Sequence, residues 1–202
     1  DGKIPFKHTE KLYIKRSDDF DEDRLAPQWQ WNYQPRKDYF SLTERPGWLR
    51  LKAYRPLDTN NLLKAGNTLT QRTFRKQNND VTIKMDISNM QDGQKNGLCH
   101  FSSQHSAIGV MKEGDSCYLE YRKNGNITKG IHIRSKFVWF RTEWGMDGKS
   151  QYYYSLDGDN FLPFGEMYQL TWGNYRGDRI GIYCFNDKRE DGFVDIDYCH
   201  YR

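Results

Sequence analysis

The sequence predicts an all-β protein, a two-sheet antiparallel sandwich of the jelly-roll type. Three observations carry that prediction. First, apolar residues alternate cleanly: Val81, Ile83, Met85 and Ile87 share one face, with Thr82, Lys84 and Asp86 on the other. Second, strand-like runs recur at about 8–14-residue spacing with turn residues between them, and Asn124-Gly125-Asn126 is a strong hairpin signal. Third, no segment shows a 3.6-residue period. Roughly a dozen strands exceed an immunoglobulin sandwich and suit a jelly roll. The 202 residues are read as a tail or linker remnant at 1–11 and one sandwich domain at 12–202.

The elements follow in order. Residues 12–15 read as a short strand, and Ser17-Asp18-Asp19-Phe20-Asp21-Glu22-Asp23 as an acidic turn. Segment 25–51 concentrates three Trp, two Tyr and one Phe. Its run Gln28-Trp29-Gln30-Trp31-Asn32 alternates amide and aromatic residues, so an extended chain puts Trp29 and Trp31 on one face. Pro46-Gly47 punctuates before a strand in which Trp48 and Arg50 oppose Leu49 and Leu51. A loop over 52–66 holds Pro56 and a one-turn helix at 61–64. Strands are expected at 68–75, 80–88, 96–102, 107–112, 117–122 and 127–134, with a turn at His105-Ser106 and another at Glu113-Gly114-Asp115. Further strands are expected at 138–144, 151–156, 161–170, 179–185 and 193–201, with a tight turn at Asp157-Gly158-Asp159-Asn160 and a loop at 171–178.

Composition excludes several functions. The 31 basic and 27 acidic residues are well mixed, and a net charge of +4 is a solvated surface rather than a nucleic-acid footprint. No 18-residue apolar stretch suggests a membrane span. The opening Asp1-Gly2-Lys3 lacks Met, which reads as a processed or trimmed piece of something longer. Cys99, Cys117, Cys184 and Cys199 lie far apart without a CxxC, so they read as buried free thiols, with one or two disulfides as the alternative in an exported protein. His8, His100, His105, His132 and His200 show neither metal nor catalytic-triad spacing, and no phosphate-binding glycine loop is present.

Trp29-Gln30-Trp31-Asn32, followed by Ser41-Leu42-Thr43-Glu44-Arg45-Pro46-Gly47 and Leu49-Arg50-Leu51, resembles the opening of the C-terminal concanavalin A-like β-sandwich of β-xylosidase-type enzymes in glycoside hydrolase family 43. Asn96-Gly97-Leu98, Ala107-Ile108-Gly109-Val110 and the closing Gly192-Phe193-Val194-Asp195-Ile196-Asp197-Tyr198 extend the likeness over most of the chain. The resemblance implies an accessory domain of an exported enzyme (periplasmic, cell-surface or secreted) that degrades xylan or arabinoxylan. It implies a separate N-terminal catalytic propeller, whose repeating blades are absent here. The parent would be a β-xylosidase or an α-L-arabinofuranosidase, and this chain alone would not be catalytic.

Two regions could carry chemistry. Asp195 and Asp197 stand at i and i+2 on a strand, about 6.5–7 Å apart at Cα, within reach of the roughly 5–9.5 Å that glycoside hydrolysis asks of two carboxylates. The better reading of that end is calcium, a hard cation held by carboxylate and carbonyl oxygens. The stretch 18–23 and Asp195–Asp197 lie near opposite chain ends, which terminal strands would bring together, and the resemblance implies a structural Ca2+ on Asp197 with Asp19 as partner. The second region is the loop at 170–179. There Trp172 and Tyr175 could stack on sugar rings, and Asn174, Arg176 and Arg179 could bond hydroxyls. In the resembled family this region reaches the rim of the propeller's sugar pocket with an aromatic side chain, typically Phe. Here the register places Arg179 at that point, with Trp172 or Tyr175 as substitutes. Two alternatives stand beside the accessory role. One is a free-standing carbohydrate-binding module with Trp29, Trp31, Trp48 or Trp144 as its platform. The other is a glycanase using Asp195 and Asp197, or Glu143 and Asp147.

Overall fold

The computed structural model describes residues 15–171 and 177–202. In chain order the strands are β1 Gln30–Trp31, β2 Phe40–Ser41, β3 Leu49–Lys52, β4 Thr68–Arg72, β5 Asn78–Asp86, β6 Gln94–Phe101, β7 His105–Glu113 and β8 Ser116–Lys123. They continue as β9 Asn126–Ile133, β10 Phe137–Gly145, β11 Lys149–Ser155, β12 Leu162–Pro163, β13 Tyr168–Gln169, β14 Arg179–Asn186 and β15 Phe193–Tyr201. Two antiparallel sheets form the sandwich. One runs β1-β4-β14-β6-β7-β8-β9, and the other β12-β11-β10-β5-β15-β3-β2 with β13 beside β11.

The alternation in β5 does what its pattern requires: Val81, Ile83 and Met85 point inward, to meet Leu98, Ile108, Val110, Ile180 and Ile182 of the facing sheet. Leu49 and Leu51 of β3 enter the same core, and Arg50 faces out. A second apolar cluster lies on the other face of the seven-stranded sheet. There Leu62 and Ala65 of the 52–66 loop cover Cys99, Phe101, Ala107, Tyr183 and Phe185. The loop is held in that position by a one-turn 3-10 helix, Leu62–Lys64, whose preceding Asn61 accepts a hydrogen bond from the Leu63 N–H at 3.1 Å.

Beneath that cover Gly97 and Gly109 stand directly opposite each other on β6 and β7. A Cβ at Gly109 would lie 2.3 Å from the Tyr183 hydroxyl, and one at Gly97 would lie 2.1 Å from the Ile108 carbonyl oxygen. The missing side chains thus admit Tyr183, whose hydroxyl reaches the Glu120 carboxylate at 3.3 Å, and Glu120 in turn pairs with buried Arg122 at 2.9 Å.

Charges on the outer face of the second sheet are similarly matched. Asp195 of β15 and Asp86 of β5 are cross-strand partners, and Arg45 donates to both, at 3.0 and 2.9 Å. Arg50 adds a two-pronged contact to Asp195 at 2.7 and 3.0 Å.

Several boundaries differ from the sequence expectation. His105 and Ser106 belong to β7 rather than to a turn. Residues 161–170 form only the two-residue strands β12 and β13. Residues 1–11 and most of the strand expected at 12–15 lie outside the described residues; an isolated bridge joins Asp18 to Cys199. All four cysteines are free, and Cys99, Cys184 and Cys199 are buried.

Candidate functional site: a cavity beside Ser102 and Arg179

Thr171 and Asp178 are each tied to neighbouring strands. Ser102, just past β6, donates its hydroxyl to the Thr171 carbonyl at 3.1 Å and lies 2.9 Å from the Thr171 hydroxyl. At the other end, the Thr73 N–H donates to the Asp178 carbonyl at 3.2 Å, and Arg179 opens β14. Beside these anchors is a cavity of about 510 Å³, lined by Trp31, Asn32, Tyr33, Phe101, Ser102 and Arg179 among others.

Each wall has a local cause. Trp31 is the last residue of β1 and packs on Phe40 with ring centroids 4.8 Å apart. Asn32 is tied down by its side-chain amide, which donates to the carbonyls of Leu63 and Ala65 at 3.1 and 3.2 Å. That fixes the chain so that Tyr33 emerges 39% exposed. Phe101 ends β6, and Arg179 donates to the Gln30 side chain. The result is an aromatic and amide surface with one guanidinium, able to stack on a sugar ring and bond its hydroxyls.

Beside Arg179 is a buried polar group set. Asp178 is 5% exposed, and neither carboxylate oxygen has a hydrogen-bond partner among the described residues. Burial pushes its carboxyl up to about 7. His100 Nδ1, 3.8 Å away, is also unpartnered, while its Nε2 lies 2.8 Å from the Thr142 hydroxyl. Burial pushes His100 down to about 3, so it stays neutral.

The calcium expectation meets a different geometry. The Asp18–Cys199 bridge does bring the acidic stretch alongside β15. The carboxylates then turn to separate partners: Asp19 lies 2.7 Å from His200 Nε2, and Asp197 accepts from Lys84 Nζ at 2.7 Å. Asp18, the buried one, accepts from the Trp29 indole at 2.7 Å and the Phe20 N–H at 3.0 Å. Among the described residues no group of three His, Cys, Asp or Glu is placed to hold a metal. As they stand, Asp19 and Asp197 do not fit a shared ion.

Other expected residues divide. Trp172, Asn174, Tyr175 and Arg176 lie outside the described residues, so Arg179 is the part of that set the structure locates. Of the four Trp named as a platform, Trp29 at 8% and Trp144 at 3% exposure are core residues. Trp48 lies between the Arg45 guanidinium, 3.6 Å from its ring, and Phe137. Trp29 and Trp31 therefore do not share an exposed face. Asp195 and Asp197 do not form a simple i, i+2 pair either, because the register with β5 shifts between Ile196 and Tyr198, leaving Asp197 as the extra residue of a β-bulge.

The family described as the beta xylosidase C-terminal Concanavalin A-like domain matches residues 17–202. The chain belongs to this family. A curated relative of the GH43 C-terminal sandwich, the beta-xylosidase of Formosa agariphila, is 34% identical over 207 residues, covering 93% of this chain and 35% of the relative. The sandwich therefore spans about a third of the length of that relative. Among solved structures, a bifunctional GH43-CE protein of Bacteroides eggerthii superposes with a TM-score of 0.83 at 30% identity, over 92% of this chain and 25% of that one. A GH43 glycoside hydrolase engineered for endo-xylanase and exo-arabinofuranosidase activity shares the fold, with a TM-score of 0.85 at 24% identity, over 97% of this chain and 42% of that one. For the GH43 sandwich, the sequence named Arg179 and flagged Trp31 and Asn32 by their alternation, and all three line this cavity. It missed Tyr33, Phe101 and Ser102. Tyr33 adjoins the flagged run, whereas Phe101 and Ser102 reach the cavity only because β6 pairs with β14.

Proposed function

We propose that this sandwich is a non-catalytic accessory domain of a glycoside hydrolase acting on xylan or arabinoxylan. In this reading it braces a catalytic domain of the same parent chain and supplies part of the rim of its sugar pocket. The observation that carries the reading is the cavity beside Ser102 and Arg179, where Trp31, Tyr33 and Phe101 offer ring faces and Arg179 a donor. The alternative of a glycanase using Asp195 and Asp197 is disfavoured by their ion pairs, Asp195 with Arg45 and Arg50, Asp197 with Lys84. Polymeric substrates do not enter cells, which favours export of the parent enzyme.

In the parent enzyme, Tyr33→Ala and Arg179→Ala are each expected to lower kcat/KM on xylo-oligosaccharides about tenfold, equivalent to about 1.4 kcal/mol of transition-state stabilisation. Unchanged kcat/KM in both variants, or release of sugar by the isolated chain, would overturn the proposal. Exposed Tyr33 beside Trp31 also favours a second reading, a carbohydrate-binding module. Saturable heat on titrating the isolated chain with xylo-oligosaccharides would support it.

A further inference from the structure

We propose a second glycan site, for a neutral sugar chain, in the cavity of about 590 Å³ lined by Thr59, Asn60, Ser103, Gln104, His105 and Asn124 among others. Its wall is amide, hydroxyl and imidazole, with no carboxylate, ammonium or guanidinium among the described residues that line it. Charges nearby are turned to holding that wall. Asn60 stands at φ 60°, in the left-handed region, and three charged side chains fix it there. Asp187 accepts from its N–H at 2.7 Å, Lys95 donates to its Oδ1 at 3.1 Å, and Arg122 donates to its carbonyl at 3.2 Å. Backbone held in a sparsely used region by so many partners points to a side chain placed for a purpose.

The unmet hydrogen bonds say what belongs there. His105 is 7% exposed, yet its ring makes no hydrogen bond among the described residues, while its backbone N–H is bonded to Asn124 Oδ1 at 3.0 Å. Burial and nearby Arg122 push the ring down to about 4, so it is neutral, with one nitrogen a donor and the other an acceptor. A largely buried ring in that state calls for a partner that both gives and accepts, as a hydroxyl does. The amides are one-sided. The oxygens of Asn60, Asn61, Asn124 and Gln104 accept from Lys95, the Leu63 N–H, the His105 N–H and the Asn124 amide. The amide nitrogens of Asn60 and Gln104 and the hydroxyls of Thr59 and Ser103 make no such bond among the described residues. Uncharged donors of this kind suit the hydroxyl and ring oxygens of a sugar, and the lining offers an anion no countercharge.

The choice of a sugar rests on the rim reading above, because the two cavities adjoin. Phe101 and Ser102 line the first, and Ser103, Gln104 and His105 the second, so the turn from β6 to β7 divides them. Asn32 of the first donates to the carbonyl of Leu63, a wall of the second. A glycan seated against Trp31 and Tyr33 thus continues past Ser102 into the amide cavity, whose volume lies within the roughly 300–1,000 Å³ of ligand sites. The first cavity supplies ring faces and the second hydrogen bonds.

The test is an NMR titration of this chain, following the His105 ring, the Gln104 side-chain amide and the Trp31 indole. The probes are xylo-oligosaccharide and, as a non-sugar polyol, glycerol. The oligosaccharide is expected to shift the His105 and Gln104 signals saturably, and Gln104→Ala and His105→Phe each to weaken it about fivefold. Phe keeps a ring at position 105 and removes both nitrogens. Gln104 is exposed, so its variant tests the site even where His105→Phe fails to fold. No shift at His105 and Gln104, an equal affinity for glycerol, or unchanged affinity in a folded variant would each overturn the proposal. Shifts at His105 and Gln104 with none at Trp31 would sink the rim reading while supporting this site, and shifts at Trp31 alone would do the reverse.

Discussion

At the scale of the residue, burial decides the chemistry more often than identity does. Asp178 keeps a proton up to about 7 when folded, whereas its usual value is 3.8. The folded state therefore holds a proton that the unfolded chain gives up, and Asp178's contribution to stability falls as pH rises between those values. His100 acts in the opposite sense. Folded, it refuses a proton down to about 3 that the unfolded chain accepts near 6.5, so its contribution falls as pH drops through that window. His105, lowered to about 4 by burial, adds to the His100 slope. Removing one partner exposes the other. Asp178→Asn should steepen the rise in unfolding free energy from about pH 4 to 6.5, and His100→Gln should flatten or reverse it, by roughly 1–3 kcal/mol across the window. Urea unfolding at a series of pH values reads this directly, and an Asp178→Asn slope matching the unsubstituted chain would refute it. Asp195→Ala takes from Arg50 its two-pronged partner, leaving it Glu44, and leaves Arg45 with Asp86 alone, so a loss of about 1–3 kcal/mol is expected by the same measurement. The buried roles of Asp178 and His100 did not announce themselves in the sequence. Asp178 reads as one more loop acid, and only the Thr73–Asp178 backbone bond and the depth of the sandwich make it a buried group.

At the scale of the element, local pattern was informative wherever one face of a strand meets the core and the other meets water. The alternation of β5 and the Pro46-Gly47 entry to β3 fall into this class. Pattern failed where tertiary contact overrides it. Residues 161–170 look like a strand by composition, yet they run along β11 and pair with it only at Leu162–Pro163 and Tyr168–Gln169. The bulge at Asp197 breaks a period of two that the sequence displays intact, and so separates Asp195 from Asp197 in role. Gly97 and Gly109 belong to this scale as well. They look like interruptions in two strands, but they are the recess that receives Tyr183. Gly109→Ala should displace that ring and its contact to Glu120, at a cost of about 1–3 kcal/mol in chemical denaturation. A neutral result would mean that β6 and β7 can part enough to admit a methyl group.

At the scale of the whole molecule, the sandwich was legible because strand count, turn spacing and the segment around Trp29–Trp31 all agree with one architecture. The site was only half legible, since a cavity is made by strands distant in sequence: Phe101 and Arg179 become neighbours through the register of β6 with β14. The metal expectation belongs to this scale too. A calcium ion on Asp19 and Asp197 would have to displace His200 and Lys84. Calorimetric melting with calcium and with chelator is therefore expected to give the same Tm; a rise with calcium would reinstate the ion.

The strand order has a consequence for how this chain is made. β14 lies between β4 and β6, and β15 lies between β5 and β3, so the strands that join the halves of each sheet are the last of this domain to be synthesised. Until they emerge, each sheet exists only as two unjoined halves with open edges, and most of its pairing is long-range. The domain therefore stays unfinished until its last two long strands have emerged from the ribosome. A stop codon before residue 179 would leave two sheets, each without its middle, rather than a smaller sandwich.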